Sequence, residues 1–349
     1  MSIYICIYFF ILVNFILFLF FKNFKIEKLL FFITMCILLF FSGTRYFTGV
    51  DYDTYLEIFK NVKSDLNFNE IEKLFLFISF IAKNFFKMKL EKIFFLFECI
   101  NIILLYKLII KNLNKNLFFA LYIWYSFYFL RLNMGQFRFG ISILICLNLI
   151  SYLYINSYRK FIFGVFMSFF IHKTSIIYLV LLLIRKKIFF IKNLMFYPLI
   201  AFCIGKFLIT KETLLFVGNF INSVKLRSMV FGNYIYNIGF SFYQVYIIII
   251  CIIICNYKTK NQKINFYKKI FLIGVGNYFL FINLAIFSDR LSLIFIAIQT
   301  ILFPMIFNDL NKKGNKIIFI IFIIFISSYT FLTTLIRSQE YIPYESWLF

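Results

Sequence analysis

The chain is poor in carboxylates, proline and histidine. It has 14 Asp and Glu, 3 Pro and one histidine, His172. The 7 cysteines lie in apolar stretches without the CxxC pairs of zinc or redox sites, and a single histidine with no Cys or carboxylate pattern beside it makes no zinc site. The sequence also lacks a nucleotide-binding loop, a GxSxG elbow and an HExxH motif. We therefore expect neither a metal nor a cofactor.

Apolar residues, in contrast, are abundant: they make up 63% of the 349 residues, including 56 Phe. Soluble domains are only about 45 to 50% apolar. The mean hydropathy over the full length is +0.91, so the apolar residues are not confined to a single membrane anchor. The sequence predicts an all-α, polytopic transmembrane helical bundle, a single integral membrane domain over residues 1–349 with about 11–13 membrane segments of up to roughly 20 residues. Its first run, residues 3–21, is expected to span and not to be a removed signal peptide.

The net charge of +23 is distributed in a pattern typical of membrane proteins, which argues against nucleic-acid binding. Basic residues concentrate in short connectors, which the positive-inside rule places in the cytoplasm. Two longer polar segments, about 44–73 and 210–240, are predicted to be external, and the first is rich in acidic residues. The basic connectors are Lys22–Lys28, Arg185–Lys192, Lys258–Lys269 and Asp309–Lys316.

Two topologies fit the apolar runs. Strict alternation places Arg131–Arg138 across the membrane from Arg45 and Asp51. In the alternative, 161–184 is a re-entrant pair of half-helices with His172 at its tip, and 74–110 crosses once. We favour the alternative because it places more basic clusters inside, although Lys83–Lys92 do not fit it. It would gather the polar candidates outside. Half-helices at this depth would line a cavity.

The first candidate cluster follows a predicted helix that ends at Arg45. Asp51 and Asp53 lie two residues apart, with Tyr52 and Tyr55 interleaved. A guanidinium binds phosphate in a bidentate manner, carboxylates accept hydrogen bonds from sugar hydroxyls, and tyrosine rings stack on sugars. The alternative is an interfacial arginine followed by an ordinary turn.

The second candidate cluster is a polar interruption of apolar sequence that contains Arg131, Gln136 and Arg138. If the segment is one α-helix, the two arginines are seven positions apart and share a face, which would suit a diphosphate. Otherwise they only mark an interfacial helix end.

His172 is followed by Lys173, Thr174 and Ser175 between two apolar half-runs. A lone histidine is more often structural than catalytic, but its ordinary pKa near 6.5 also suits acid–base chemistry. A catalytic role and a structural role for His172 are therefore equally open.

Charged and amide groups within the remaining apolar runs suggest further roles. Arg290 beside Asp289 is either a ligand-binding group or half of an ion pair, and Glu98 is a carboxylate inside an apolar run. The amides of Asn277, Asn283, Gln244 and Gln299 are predicted to hydrogen-bond between helices.

Taken in order, these segments resemble the EpsG-type branch of the Wzy-like polysaccharide polymerases. The similarity rests on Arg45, the segment 49–55, the Asn133–Gln136 element, His172 with its neighbours, and Arg290. The family usually has Arg directly before the Gln. This chain has Gly135 there, so Arg131 or Arg138 would take that role. The acidic segment has one extra residue, so either Asp51 or Asp53 matches the family's carboxylate.

The resemblance implies a glycosyltransferase of the bacterial cytoplasmic (inner) membrane. It would polymerise exopolysaccharide, capsule or O-antigen on the outer face, from repeat units linked to undecaprenyl diphosphate. Its partners would be this lipid-linked oligosaccharide, the bilayer and possible flippase and chain-length regulator proteins. The implied catalytic residues are His172, Asp51, Asp53 and Arg45, and the implied substrate-binding residues are Arg131, Gln136, Arg138, Arg290, Tyr52 and Tyr55.

Two other classes stay open. An O-antigen ligase or another lipid-dependent glycosyltransferase would use the same donor with a different acceptor. A flippase or transporter of lipid-linked oligosaccharide would need coupling carboxylates or paired halves, and we find no internal repeat.

Overall fold

The protein is described from a computed structural model, which covers residues 1–21, 23–62, 73–185, 191–220 and 242–348. Much of the two predicted external segments, 63–72 and 221–240, lies outside these ranges. The helices are α1 Ser2–Phe20, α2 Phe24–Gly43, α3 Tyr52–Asn61, α4 Lys73–Asn84, α5 Leu90–Asn112, α6 Leu117–Trp124, a π-helix Tyr125–Gly135, α7 Phe137–Tyr154, α8 Tyr158–Ile171, a 3₁₀ helix Lys173–Val180, α9 Leu181–Arg185, α10 Ile191–Phe207, α11 Lys211–Phe220, α12 Phe242–Asn256, α13 Gln262–Leu280, α14 Ala285–Ile296, α15 Gln299–Asp309, α16 Lys313–Arg337 and a 3₁₀ helix Gln339–Tyr341.

The predicted all-α, polytopic architecture is confirmed. Among the described residues, α1, α5, α7 and α16 are long and apolar enough to cross a membrane. The pair α14 and α15 is bent by 43° and would add a fifth span, as a broken helix or a re-entrant loop. The larger sequence-based figure of about 11–13 segments counted apolar runs near or below the roughly 20 residues of a full span. Several of these runs form shorter helices, such as α4 and α12.

The chain divides into two compact units. The first contains residues 1–176 and 303–349, and the second contains residues 177–302. In the second unit, α10 packs against α13, and amides join its segments. Tyr197 donates to Asn277 Oδ1 at 3.0 Å, Asn283 donates to Gly205 O at 2.9 Å, and Tyr246 donates to Gln299 Oε1 at 2.7 Å. The predicted interhelical role is thus confirmed for Asn277 and Gln299, whereas Asn283 lies in the turn between α13 and α14 and binds the end of α10.

Aromatic pairs set the directions of the helices in the first unit. Phe18 stacks on Phe118 with ring centres 5.6 Å apart, while Tyr8 meets Tyr122 at 5.5 Å. Because residue numbers rise on α6 as they fall on α1, the two helices are antiparallel. α2 and α5 are likewise antiparallel, since Phe31 stacks on Tyr106 and Phe40 lies against Phe95.

As a result, the first unit has two chemically different ends. One end, which we call the basic end, has the α1–α2 connector, the start of α6 and the start of α16, with Lys25, Lys28, Lys115 and Lys313. The other, which we call the Arg45 end, begins where α2 finishes at Gly43. The positive-inside rule assigns the basic end to the cytoplasm.

Lys83 had no obvious place in the favoured topology, and the structure explains its position. Its ammonium donates to the backbone carbonyls of Phe59, Lys60 and Val62 at 3.0, 2.9 and 3.2 Å. These carbonyls lie at the carboxyl end of α3, where helical carbonyls lack partners and a cation is favourable. The lysine therefore caps a helix at the Arg45 end.

The predicted break at His172 is also observed. α8 ends at Ile171, His172 is extended with φ −151° and ψ 121°, and the chain continues as a 3₁₀ helix. The re-entrant path proposed for 161–184 stays a prediction, because the boundary between the two units falls within it.

The carboxyl-terminal segment, residues 338–348, folds over the Arg45 end, which the sequence analysis did not predict. Residues Arg45–Tyr46 and Glu345–Ser346 form a short antiparallel pair of strands, β1 and β2. Three further bonds hold the segment: Tyr4 donates to Tyr341 O and Tyr344 to Phe41 O, both at 2.8 Å, and the Trp347 N–H donates to Thr44 O at 3.0 Å.

Gly49 allows the loop after β1 to pass close to the π-helix. Its φ is +116°, and its N–H donates to Glu340 O at 2.8 Å. A Cβ at this position would collide with the carbonyl oxygen of Met134. The position therefore requires glycine for both its backbone conformation and its lack of a side chain.

We expect Gly49→Ala to destabilise the protein by about 1–3 kcal/mol, because it adds backbone strain and a steric clash. Thermal unfolding of the detergent-purified protein would measure the loss. Gly314→Ala is the matched control, since a Cβ there meets nothing within 4 Å. Equal unfolding midpoints for the two variants would contradict the assigned role of Gly49.

Candidate functional site

A buried polar network lies at the Arg45 end, where α2, α5 and the π-helix meet. Arg45 is only 2% exposed and donates to Ser42 O at 2.7 Å. It interacts electrostatically with Glu98, which is 1% exposed on α5. Glu98 accepts hydrogen bonds from Asn133 Nδ2 at 2.6 Å and from Asn101 Nδ2 at 3.2 Å. A charge so far from water is tolerated only with such partners.

The π-helix is part of the same network. Trp124 donates from Nε1 to Asn133 Oδ1 at 2.9 Å, although the residues are nine positions apart. The Asn133 amide is therefore fixed by two hydrogen bonds: Nδ2 donates to Glu98, and Oδ1 accepts from the Trp124 indole. Wide helical turns of this kind occur frequently at functional sites.

An aromatic cluster separates Arg45 from Arg138. The guanidinium of Arg45 lies 4.9 Å from the centre of the Phe94 ring, and that of Arg138 lies 4.9 Å from Tyr55 and 5.0 Å from Phe75. Such cation–π contacts stabilise the charges and fix their positions. Tyr55 also packs on Phe137, at 4.3 Å between ring centres.

The diphosphate clamp was predicted on the condition that Arg131 and Arg138 share one α-helix, and this condition is not met. Arg131 lies in the π-helix, Gln136 breaks the helical path with φ −86° and ψ 61°, and Arg138 lies in the first turn of α7. The change of helix type means that a seven-residue spacing no longer places the two side chains on one face.

Arg131 is instead grouped with Asp51 and Tyr341. The hydroxyl of Tyr341 lies beside Gly135, where an added Cβ would be 3.1 Å from it. Asp51, Arg131 and Arg45 all act electrostatically on this hydroxyl. Burial raises the pKa of Tyr341 above its ordinary value, so the group stays a protonated hydrogen-bond donor at neutral pH.

His172 lies at the same end, because α8 runs antiparallel to α7. Ser142 and Ser168 hydrogen-bond between these helices at 2.9 Å. The His172 ring packs on Phe139, with centres 4.7 Å apart, and its Nδ1 bonds to Thr174 Oγ1 at 2.6 Å. Phe139 directly follows Arg138, so the histidine lies beside the first turn of α7.

The structure thus gathers most of the predicted site residues at one end of the first unit. Arg45, Asp51, Arg131, Gln136, Arg138 and His172 lie there, as the favoured topology requires. They differ in exposure: Arg45 is buried, whereas Asp51, Arg131, Gln136, Arg138 and His172 are partly exposed. Gln136 also has a buried Oε1 without a hydrogen-bond partner in the described parts of the chain.

The other predicted residues are placed differently. Tyr52 and Tyr55 are 4% and 3% exposed and pack inside the aromatic cluster, so in this conformation their rings are covered. Asp53 is exposed in the first turn of α3. Arg290 lies on α14 in the second unit. The roles assigned to these residues stay predictions.

Sequence reasoning missed Tyr341, Trp124 and the involvement of Asn133 with Glu98. Glu98 itself was noticed, because a carboxylate in an apolar helix is rare. Tyr341 gave no comparable signal, since tyrosine is common in this chain and the pairing of 338–348 with 44–49 is long-range.

We expect removal of one charge from the buried pair to cost about 3–5 kcal/mol of stability, because the other charge is left without its counter-charge. Glu98→Gln and Arg45→Gln should each lower the unfolding midpoint strongly, and the double variant should lose less than the sum of the two. Glu57→Gln, at an exposed carboxylate, is the control and should have little effect. Additive losses in the double variant would show that the pair is not coupled.

The apolar helices define a multi-pass membrane protein, and partly exposed cationic side chains gather at one end of its first unit. The EpsG family model matches residues 28–346, nearly the whole chain. The protein belongs to the EpsG family, and this membership indicates a polysaccharide polymerase. No curated protein and no solved structure matched the chain.

Proposed function

We propose that the protein polymerises a cell-surface polysaccharide, such as exopolysaccharide, capsule or O-antigen. It would transfer a glycan from one undecaprenyl-diphosphate-linked repeat unit to a sugar hydroxyl of another, on the outer face of the cytoplasmic membrane. The observation that carries this proposal is the gathering of Arg131, Arg138, Asp51 and His172 at the end of the first unit opposite its basic end.

The proposed reaction is a single group transfer. The acceptor oxygen bonds to the anomeric carbon, and the bond from that carbon to the diphosphate oxygen breaks. The electron pair leaves with the diphosphate, and the acceptor proton passes to a base. Negative charge therefore grows on the diphosphate, which fixed cations stabilise in a site with little water.

The exposure of the side chains suggests a division of roles. Arg131 and Arg138 are the partly exposed arginines of the first unit's site, and we assign them to the diphosphate. His172 and Asp51 are the candidate bases, and the ring packing of His172 holds it in one orientation. Arg45 acts through Glu98 and Asn133 on the π-helix that carries Arg131, as a positioning residue.

We expect Arg131→Gln to reduce polymerisation about 100-fold or more, by removing a cation from the developing charge. His172→Gln should reduce it about 100- to 10,000-fold if the ring is the base. Each variant would be produced in a strain lacking the native gene. The readouts are membrane abundance, the length distribution of the surface polymer and the pool of lipid-linked repeat units.

Arg159→Gln provides the matched control, because Arg159 is an exposed arginine at the opposite end of α8 from His172. Loss of long polymer with single repeat units still on lipid would support the polymerase. Repeat units trapped in the cytoplasmic leaflet would indicate a flippase. Unchanged polymer in both site variants would overturn the proposal.

We also expect Tyr341→Phe to slow polymerisation about 10- to 100-fold, since a hydrogen bond to a charged group contributes about 1.5–3 kcal/mol. The backbone carbonyl that accepts from Tyr4 is kept in this variant. Tyr344→Phe is the control, because it removes another hydroxyl from the same segment, one that binds Phe41 O. Equal slowing by both variants would mean that the effect comes from a loosened segment and not from the Tyr341 hydroxyl.

A further inference from the structure

A cavity of about 810 Å³ opens at the basic end, on the far side of the first unit from the candidate site. It lies between the end of α1, the start of α2, the 113–116 connector, the end of α15 and the start of α16. All its lining residues belong to the first unit. The proposed polymerase reaction does not use it.

The charges around this cavity are unbalanced. Lys115, Lys313 and Lys316 line it, and Glu27 is the one carboxylate in its lining. Glu27 is 3% exposed, and its carboxylate accepts the backbone N–H of Leu117 at the start of α6. Since that carboxylate already caps a helix, the three ammonium groups favour an anion in the cavity.

The start of α16 adds to this preference. The positive end of a helix dipole normally attracts acidic residues, yet the first turn of α16 has none, and its N-cap, Lys312, makes no side-chain capping bond. Lysines at this position repel the helix dipole unless an anion lies between them. Lys316 is held at the wall by the Phe307 ring, 5.2 Å from its ammonium.

Besides Asn114, Asn116 and Asn308, the remaining lining is apolar, and part of it faces outward. Phe20 and Ile317 are 77% and 58% exposed, and Phe24 is 37% exposed. Phe20 and Ile317 lie at the ends of α1 and α16, two helices that can cross a membrane. A ligand that matches both the lysines and the apolar side chains has an anionic head group and hydrocarbon chains. Basic pockets between helices near the membrane surface bind such head groups.

We propose that this cavity binds the phosphate head group of an anionic membrane lipid, with Lys115, Lys313 and Lys316 around the phosphate and acyl chains along Phe20, Phe24 and Ile317. The chemistry shared with a free ion is the phosphate group, and the apolar wall favours the lipid as its source. The site goes beyond the proposed polymerase activity and does not depend on it.

The test uses the full chain, purified in a neutral detergent, with phosphatidylglycerol, phosphatidylcholine or inorganic phosphate added. Phosphatidylglycerol at about 100-fold over its Kd should raise the unfolding midpoint by about 5 °C, because it binds only the folded state. Phosphatidylcholine and inorganic phosphate should give no comparable shift. Native mass spectrometry should show retained phosphatidylglycerol.

The variant Lys115→Gln/Lys313→Gln/Lys316→Gln should lose both the shift and the retained lipid. The control Lys107→Gln/Lys258→Gln/Lys260→Gln removes the same charge from exposed lysines outside the cavity and should keep both. If the triple cavity variant fails to fold, Lys313→Gln alone, at an exposed side chain, should weaken lipid retention at least several-fold.

Three outcomes would overturn the proposal. The cavity variants could bind phosphatidylglycerol as the native chain does, both triple variants could lose binding equally, or inorganic phosphate could match the lipid. The last result would make this a free-phosphate site.

Discussion

The Arg45 end depends on two interacting polar groups removed from water, Arg45 and Glu98. Arg45 lies in β1, two residues after α2, and Glu98 lies in the middle of α5; a lone charge at either buried position would be costly. Asn133 donates a hydrogen bond to Glu98 and accepts one from Trp124. The π-helix, which also carries Arg131, thereby becomes part of a polar network. A defect in the pair would therefore reach the site without touching any ligand.

The candidate site separates charges that hold the protein together from charges that can meet a ligand. Arg45 and Glu98 are buried, whereas Arg131, Arg138 and His172 are partly exposed, and neighbouring side chains fix Arg138 and His172. For Arg138 the neighbours are aromatic faces, and for His172 they are Phe139 and Thr174. Fixed groups of this kind need little reorganisation when charge develops on a substrate, which is the property that lowers a barrier.

Much of this arrangement was predictable because it follows from solvation. The cost of burying charge placed the lysines at one end, marked Glu98 as unusual and predicted the chain break at His172. The π-helix was not predictable, since it depends on the side chain of Asn133 meeting groups on other helices. The strand pair near Arg45 was also missed, because two residues on each side leave no periodic pattern. Long-range pairing, in short, has no local signature.

The contact between Tyr4 and Tyr341 has a consequence for biogenesis. These residues are 337 positions apart, so the first helix enters the bilayer long before its last partner is synthesised. During that interval the hydroxyl of Tyr4 must be satisfied by water or lipid head groups at the interface. Docking of the segment 338–348 on α1 is then a late step between residues far apart in sequence, and it is slow for entropic reasons. An assembly intermediate would contain every arginine of the site and still lack the segment 338–348 that folds over the Arg45 end.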